Sequence, residues 1–164
     1  GLLLGVPVIM VDDAKRHVPS HVTLVENPAL VSAMDPDEVD GYFKFAVVQN
    51  EKVAEFVRTN YTAAGDIGDQ AFQAKIREPE NYAFSFDVDA LAKPYPAPTL
   101  IVTGRQDFIV GYREALEILE NYPRGTFAIL DRSGHFLETE QEELFHALAG
   151  EWLDRVDEYV GMLR

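Results

Sequence analysis

The sequence contains no cysteine. This absence excludes three kinds of chemistry at once: disulfide bonds, thiolate ligands for a metal, and a cysteine nucleophile. It does not restrict the compartment, because a protein without disulfides is compatible with any of them. We expect a cytoplasmic protein.

Long apolar runs and positive charge are also scarce. No apolar run approaches the roughly 20 residues that span a bilayer, so we expect no membrane partner. The 164 residues include 14 Lys and Arg against 28 Asp and Glu, which gives a net charge of −14. Nucleic-acid binding requires a surplus of cations that neutralise phosphates, so we expect no nucleic-acid partner. The apolar fraction of 47% is typical of a globular protein that buries a core.

The first residues, GLLLGVPVIM, form an apolar run without an initiator methionine. A signal peptide would need a basic region and a small-residue cleavage site, and neither is present. Gly5 and Pro7 interrupt the run and Asp12 follows it, which favours a buried strand over residues 1–11. A buried strand is an unusual first element, because chain termini normally lie at the surface.

Residues 12–93 are polar and aromatic, and their pattern is mainly helical. Asp35 and Pro36 are typical of a helix start, and we expect that helix to run to about Gln49. Asn50 can cap a second helix. Its apolar stripe has helical spacing and consists of Val53, Phe56, Val57 and Tyr61. The aromatic residues of this region are expected mostly in a core, with some available to cover an apolar pocket.

Residues 94–164 alternate between strand and helix patterns. The short apolar runs 99–103 and 126–130 predict two buried strands, and residues 112–122 between them predict a helix that buries Ala115 and Leu116. Thr139 and Glu142 have capping-box spacing ahead of a long amphipathic helix. Strands separated by such helices indicate βαβ units. The predicted fold class is α/β, with about three parallel strands and flanking helices.

Polar residues follow each predicted strand at its carboxyl end, where open α/β sheets place their ligand groups. Asp12 and Asp13 follow the first strand, Asp107 the second and His135 the third. A carboxylate that fixes the tautomer of a histidine and stabilises its imidazolium supplies two members of a catalytic triad. Asp107 and His135 are therefore the candidate catalytic residues.

Residues 94–153 resemble the C-terminal portion of the α/β-hydrolase family. In that family a proline-led strand ends in G-x-x-D, here Gly104 to Asp107, and a later strand leads to G-H, here Gly134 and His135. The resemblance implies that Asp107 is the triad acid and His135 the general base. It also implies that residues 1–11 and 94–164 belong to the hydrolase core, with 1–11 as its sixth strand. Residues 12–93 would then be a helical cap.

The sequence departs from the family because it has no G-x-S-x-G nucleophile elbow. None of its serines has that flanking pattern: Ser20, Ser32, Ser85 and Ser133. We expect the C-terminal fragment of a longer enzyme that cleaves a small ester, amide or related substrate through an acyl-enzyme, without a cofactor. The isolated chain should be inactive, and its partner should be the missing N-terminal half of the fold. We also expect homo-oligomers through the exposed edge of residues 1–10.

Other interpretations are weaker but stay open. His17 and His21 have a metal-ligand spacing, but Pro19 interrupts a helix there, so we expect no metal site; His146 should be a surface residue. The segment VPVIMVDDAKRH resembles the first strand of a response-regulator receiver, in which an acidic pair holds Mg²⁺, but the acceptor Asp and the lysine of that fold are missing. A non-catalytic interaction protein that reuses the hydrolase fold is the remaining alternative.

Overall fold

The computed structural model describes residues 1–4, 17–82 and 91–164. They contain one parallel sheet in the order β1-β2-β3, formed by β1 (Leu2–Leu4), β2 (Thr99–Gly104) and β3 (Gly125–Leu130). The register pairs Leu3 with Ile101, and Ile101 with Phe127. The predicted three-stranded parallel α/β sheet is confirmed. The remainder of the predicted first strand, and Asp12 and Asp13, lie outside the described residues.

The central strand β2 is buried along its whole length. It is flanked by β1 and β3, and both of its faces are covered, as parallel sheets require. Ile101 packs on one face against Ala115 and Ile118. Leu100 and Val102 pack on the other face in a cluster that also contains Leu130, Leu137, Phe145, Leu148 and Trp152. β1 is different, because Leu2 and Leu4 are exposed; the prediction that this strand is buried is wrong for both residues.

Four helical elements surround β2 and β3. In chain order they are α7 (Arg113–Glu117), a 3-10 helix (Leu119–Asn121), α8 (Leu137–Glu140) and α9 (Glu142–Met162). The helix predicted over 112–122 is thus divided into two short elements. Ala115 and Ile118 face the sheet, whereas Leu116 is 54% exposed, so its predicted burial is wrong. Phe145, Leu148 and Trp152 of α9 pack on the sheet. Trp152 also donates its indole N–H to the carbonyl of Pro98 over 3.1 Å.

The capping box predicted from Thr139 and Glu142 is not formed. Thr139 lies inside α8, and α9 begins after Gln141, whose side chain makes no capping bond. Gln141 instead donates its side-chain amide to the carbonyl of Asp131 over 2.7 Å. The two helices are separate because the backbone of Gln141 (φ −130°, ψ 46°) is not helical.

The middle segment, residues 17–82, consists mainly of short helices from Pro28 onward, in line with its mainly helical pattern. Its elements are α1 (Pro28–Ala33), α2 (Pro36–Asp40), a 3-10 helix (Phe43–Phe45), α3 (Glu51–Phe56), a π-helical stretch (Val57–Thr62), α4 (Ala63–Ile67), α5 (Gln70–Ile76) and α6 (Pro79–Tyr82). Asn50 caps α3 as predicted, because its side-chain oxygen accepts a hydrogen bond from the Val53 N–H over 2.8 Å. The stripe from Val53 to Tyr61 packs in one apolar cluster with Phe136.

The helix predicted over 36–49 is wrong beyond Asp40. Residues after the 3-10 helix are extended, and Val48 forms a parallel bridge with Val25. The carbonyl of Val47 accepts hydrogen bonds from the backbone N–H groups of Leu24 (2.9 Å) and Val25 (3.1 Å). Two consecutive β-branched residues favour this extended conformation. Within the described part of the chain, no helix has the length and apolar composition that a membrane crossing requires.

Candidate active site

Asp107 and His135 lie together at the carboxyl end of the sheet. Asp107 follows β2 by three residues and His135 follows β3 by five, and these two strands are neighbours in the sheet. His135 Nδ1 is 3.2 Å from Asp107 Oδ2. The structure therefore brings the two sequence-predicted residues within hydrogen-bonding distance, although 28 positions separate them in the chain.

The side chain of Asp107 is fully buried and is fixed by the turn that follows it. Its Oδ1 atom accepts hydrogen bonds from the backbone N–H groups of Ile109 (2.8 Å) and Val110 (3.0 Å). Aspartate commonly bonds the backbone two or three residues ahead in this way. One carboxylate oxygen is thus used to hold the side chain, and the other is directed at His135.

His135 is a half-buried imidazole whose side chain is 31% exposed. The hydrogen bond with Asp107 raises the pKa of His135 above its ordinary value, against the opposing effect of burial, and the charges of Asp107, Glu138 and Glu140 raise it further. An ionised carboxylate only accepts hydrogen bonds, so Nδ1 carries the proton that faces Asp107. Nε2 is the ring nitrogen that remains for proton exchange.

Gln106 connects the loop of Asp107 with the loop of His135. Its backbone N–H donates to the Ser133 carbonyl over 2.9 Å, and its side-chain oxygen accepts from the Ser133 N–H over 3.1 Å. Its side-chain amide donates to Asp131 Oδ1 over 2.8 Å. That last bond is the main reason why the pKa of Asp131 is lowered. No sequence pattern singles out Gln106, since an amide between Gly104 and Asp107 carries no reactive group.

Among the described residues, no serine forms a hydrogen bond with His135. Ser133, the closest in sequence, is fully buried, and its hydroxyl has no hydrogen-bond partner among the described residues. Ser32 donates its hydroxyl to the Pro28 carbonyl over 2.7 Å, and Ser20 is exposed. Ser85 lies outside the described residues.

A series of ring contacts joins both loops to the middle segment; we call it the aromatic chain. It runs from Phe108, beside Asp107, to Phe136, beside His135. Successive ring centroids are 5.3 Å apart for Phe108 and Phe45, 6.2 Å for Phe45 and Tyr42, 5.3 Å for Tyr42 and Tyr61, and 5.1 Å for Tyr61 and Phe136. Burial and the nearby carboxylates of Glu138 and Asp107 raise the pKa of Tyr61. The aromatic chain therefore borders the candidate pair on the side of the middle segment.

The other histidines have separate surroundings. His17 Nδ1 is 2.8 Å from Glu114 Oε1, whereas the ring of His21 packs on Phe108 with centroids 4.7 Å apart. His146 is exposed on α9. Among residues 1–4, 17–82 and 91–164, no three His, Asp or Glu side chains are grouped as metal ligands would be.

Comparison with known proteins relates the chain to one family of folds. No family model matches the sequence, and no curated protein matches it. The crystal structure of an alpha/beta superfamily hydrolase from Oenococcus oeni PSU-1 overlaps with it at a TM-score of 0.75 and 25% sequence identity, over 95% of this chain and 57% of that chain. A thermophilic esterase from Thermogutta terrifontis overlaps only loosely, at a TM-score of 0.38 and 23% identity over 75% of this chain and 52% of its own.

The chain thus spans 57% of the length of the Oenococcus oeni hydrolase. Within that span the described residues form three parallel strands with flanking helices, and the two candidate residues follow neighbouring strands. The chain is therefore related to the α/β-hydrolases and has a partial form of their fold.

Proposed function

We propose that the chain forms the acid-and-base part of a serine-type α/β-hydrolase. The enzyme would cleave a small ester, amide or related substrate through an acyl-enzyme. One observation carries the proposal: a fully buried carboxylate, Asp107, lies 3.2 Å from Nδ1 of a partly exposed imidazole, His135. This is the geometry in which an aspartate orients a catalytic histidine.

The chemistry assigns a different role to each residue. His135 Nε2 takes the proton of a serine hydroxyl as the serine oxygen attacks the substrate carbonyl, and returns that proton to the leaving group. In the second half of the reaction, the same nitrogen takes a proton from the water that attacks the acyl-enzyme. Asp107 keeps the proton of the neutral imidazole on Nδ1 and stabilises the imidazolium that forms after each transfer.

The nucleophile of this reaction comes from outside these 164 residues. The sequence has no G-x-S-x-G, and no described serine makes a hydrogen bond with His135: Ser133 is buried and Ser32 bonds the Pro28 carbonyl. The chain alone therefore lacks both the nucleophile and the oxyanion-binding donors that follow it. We expect it to hydrolyse p-nitrophenyl acetate no faster than its His135→Ala variant; a rate that depends on His135 would contradict this.

Residues 12–93 would serve as a cap over the site. The described part of this region contacts both site loops through the aromatic chain. Aromatic rings line apolar binding pockets and leave orientation to a few polar groups. The cap would accordingly bind the apolar portion of the substrate beside His135.

The decisive test uses the complete reading frame that encodes this chain. The expressed protein is treated with a fluorophosphonate probe, which labels activated serines. We expect labelling at a serine in a G-x-S-x-G sequence, strongly reduced in the His135→Ala and Asp107→Asn variants and retained in a His146→Ala control. The proposal would be overturned by a reading frame without such a serine, or by labelling that is equally strong in the wild type and in both variants. Either result would favour a non-catalytic protein with the hydrolase fold.

A further inference from the structure

Glu140 makes three hydrogen bonds to backbone N–H groups from two distant parts of the chain. Its Oε2 atom accepts from the Gly134 N–H over 2.6 Å. Its Oε1 atom accepts from the N–H groups of Val47 (2.6 Å) and Val48 (3.2 Å). Gly134 directly precedes His135, whereas Val47 and Val48 belong to the extended part of the middle segment. One carboxylate thus joins the loop of His135 to the middle segment.

The surroundings of this carboxylate are apolar and closely packed. Val47 and Val48 are buried. A Cβ atom on Gly134 would come within 2.8 Å of Val47 Cγ2, so the Val47 side chain packs directly on the Gly134 backbone and leaves no room for a side chain there. Burial raises the pKa of Glu140, opposed by its three backbone hydrogen bonds and reinforced by the charge of Asp107. The described hydrogen bonds of this carboxylate all come from backbone N–H groups.

We propose that Glu140 is a positioning residue of the site, which holds the loop of His135 against residues 46–48 and thereby sets where His135 stands relative to the middle segment. The proposal rests on the function proposed above only for what His135 does in the reaction. The link itself is a property of the chain alone. It also implies that movement of residues 46–48 displaces His135.

The carboxylate is suited to this role because both of its oxygens accept hydrogen bonds. A glutamine of the same size retains one accepting oxygen and places an NH₂ group against a backbone N–H. Glu140→Gln therefore breaks either the bond to Gly134 or those to Val47 and Val48, with almost no change in volume. Glu142→Gln is the matched control, because Glu142 contacts the middle segment through Lys52 and makes no hydrogen bond to the described loop of His135.

The test uses nuclear magnetic resonance on the 164-residue chain, so it requires no nucleophile. In Glu140→Gln we expect amide exchange at Gly134 or Val47 to quicken about tenfold, as the loss of one charge-assisted bond implies. We also expect the His135 imidazole resonances to shift and its pKa to fall, because a neighbouring negative charge is lost. In Glu142→Gln both readouts should match the wild type. A folded Glu140→Gln chain with an unchanged His135 would overturn the proposal.

A second measurement keeps the proposal testable if Glu140→Gln does not fold. In the wild type, the side-chain carboxyl ¹³C signal of Glu140 is followed through its own titration, with the signals of Asp107 and His135 monitored separately because both groups lie close enough to interact with it. The amide signals of Gly134, Val47 and Val48 should move with the Glu140 midpoint. Amide signals that do not follow this midpoint would overturn the link. Failure of the serine-labelling test would leave these results standing, so the two proposals fail separately.

Discussion

Gly104 lies directly against the backbone of Gly134, the residue before His135. A Cβ atom at position 104 would come within 2.4 Å of the Gly134 carbonyl oxygen and within 2.6 Å of the Ser133 carbonyl oxygen. Real Cβ atoms do not approach backbone so closely, so only glycine permits this contact. The end of β2 and the loop of His135 therefore touch through their main chains.

A methyl group at position 104 should separate these two backbones. We expect Gly104→Ala to lower the free energy of unfolding by about 1–3 kcal/mol, as overpacking in a core typically does, and to lengthen the distance between Asp107 and His135. Urea denaturation measures the first effect, and the His135 pKa reports the second by falling.

The matched control for this change is Gly150→Ala in α9. A Cβ atom there would meet nothing within 4 Å, and alanine is the better helix former by up to about 1 kcal/mol. Gly150→Ala should therefore leave stability equal or improved. If both substitutions changed the free energy of unfolding equally, the backbone contact would not be what restricts position 104 to glycine.

Removing the charge of Asp107 should lower the pKa of His135. Asp107→Asn keeps an oxygen for the Ile109 and Val110 N–H groups but loses the charge that favours the imidazolium. The folded-state pKa of His135 is raised above 6.5. The interaction of the protonated imidazole with Asp107 therefore stabilises the folded chain fully below pH 6.5, and this stabilisation is lost as the pH rises through the folded-state pKa. The stability difference between wild type and variant should therefore be larger at pH 6 than at pH 8.5.

Two measurements check this prediction: a histidine titration by nuclear magnetic resonance, and urea midpoints at the two pH values. Asp131→Asn is the control, because Asp131 bonds Gln106 and not His135. Its His135 titration should coincide with that of the wild type. A stability difference that grows towards pH 8.5 would refute the assignment.

Glu138 should destabilise the folded chain when it is ionised. Burial raises its pKa above 4.5, so the cost of its charge is absent below pH 4.5 and complete above the folded-state pKa. Glu138→Gln should therefore be more stable than wild type at pH 7, and this advantage should shrink at pH 4. Urea midpoints at both pH values test it, with the exposed Glu143→Gln as control. An advantage that is equal at both pH values would contradict burial of the charge as its cause.

Phe136 should contribute strongly to stability, because it is fully buried where the loop of His135 meets α3. We expect Phe136→Ala to cost about 3–5 kcal/mol, the usual range for a buried aromatic. Phe72 is 60% exposed on α5, and Phe72→Ala should change stability by less than about 1 kcal/mol. Thermal unfolding of both variants measures the contrast, and similar losses would mean that Phe136 is not a core residue.

The outer edge of β1 should promote self-association. Leu2 and Leu4 are exposed, and in the described part of the chain β1 pairs only with β2. Open strand edges of this kind template pairing with other chains, and lysine discourages it. We expect light scattering to detect dimers or larger species that decrease in Leu4→Lys but persist in Leu153→Lys, a control on the exposed side of α9. A wild-type monomer at high concentration would refute this.

The positions of Asp107 and His135 were predictable because each depends on a local pattern. A short apolar run followed by a polar turn marks the end of a buried strand, and parallel strands bring their ends to one edge. The cap of α3 at Asn50 was predictable for the same reason. The helix predicted beyond Asp40 failed because the bridge between Val25 and Val48 joins residues 23 apart, which no local pattern records.

The role of Glu140 was hidden for a related reason. It stands in the acidic run ETEQEE, which has the composition of a solvated surface, and two of its three partners are backbone groups more than 90 positions away. Every residue except proline has a backbone N–H group, so the sequence does not show which of these groups bond a given side chain. Gln106 was missed similarly, since two of its three bonds involve the backbone of Ser133.

The single tryptophan of the chain makes its fluorescence a selective optical probe. Trp152 packs in the cluster formed by the sheet, α8 and α9, and its indole bonds the Pro98 carbonyl, whereas the middle segment contains tyrosines but no tryptophan. Emission therefore follows the separation of α9 from β2, and far-ultraviolet circular dichroism follows all helices together. If the two signals change at different urea concentrations, the middle segment and the sheet unfold as separate cooperative units; coincident curves would make them one.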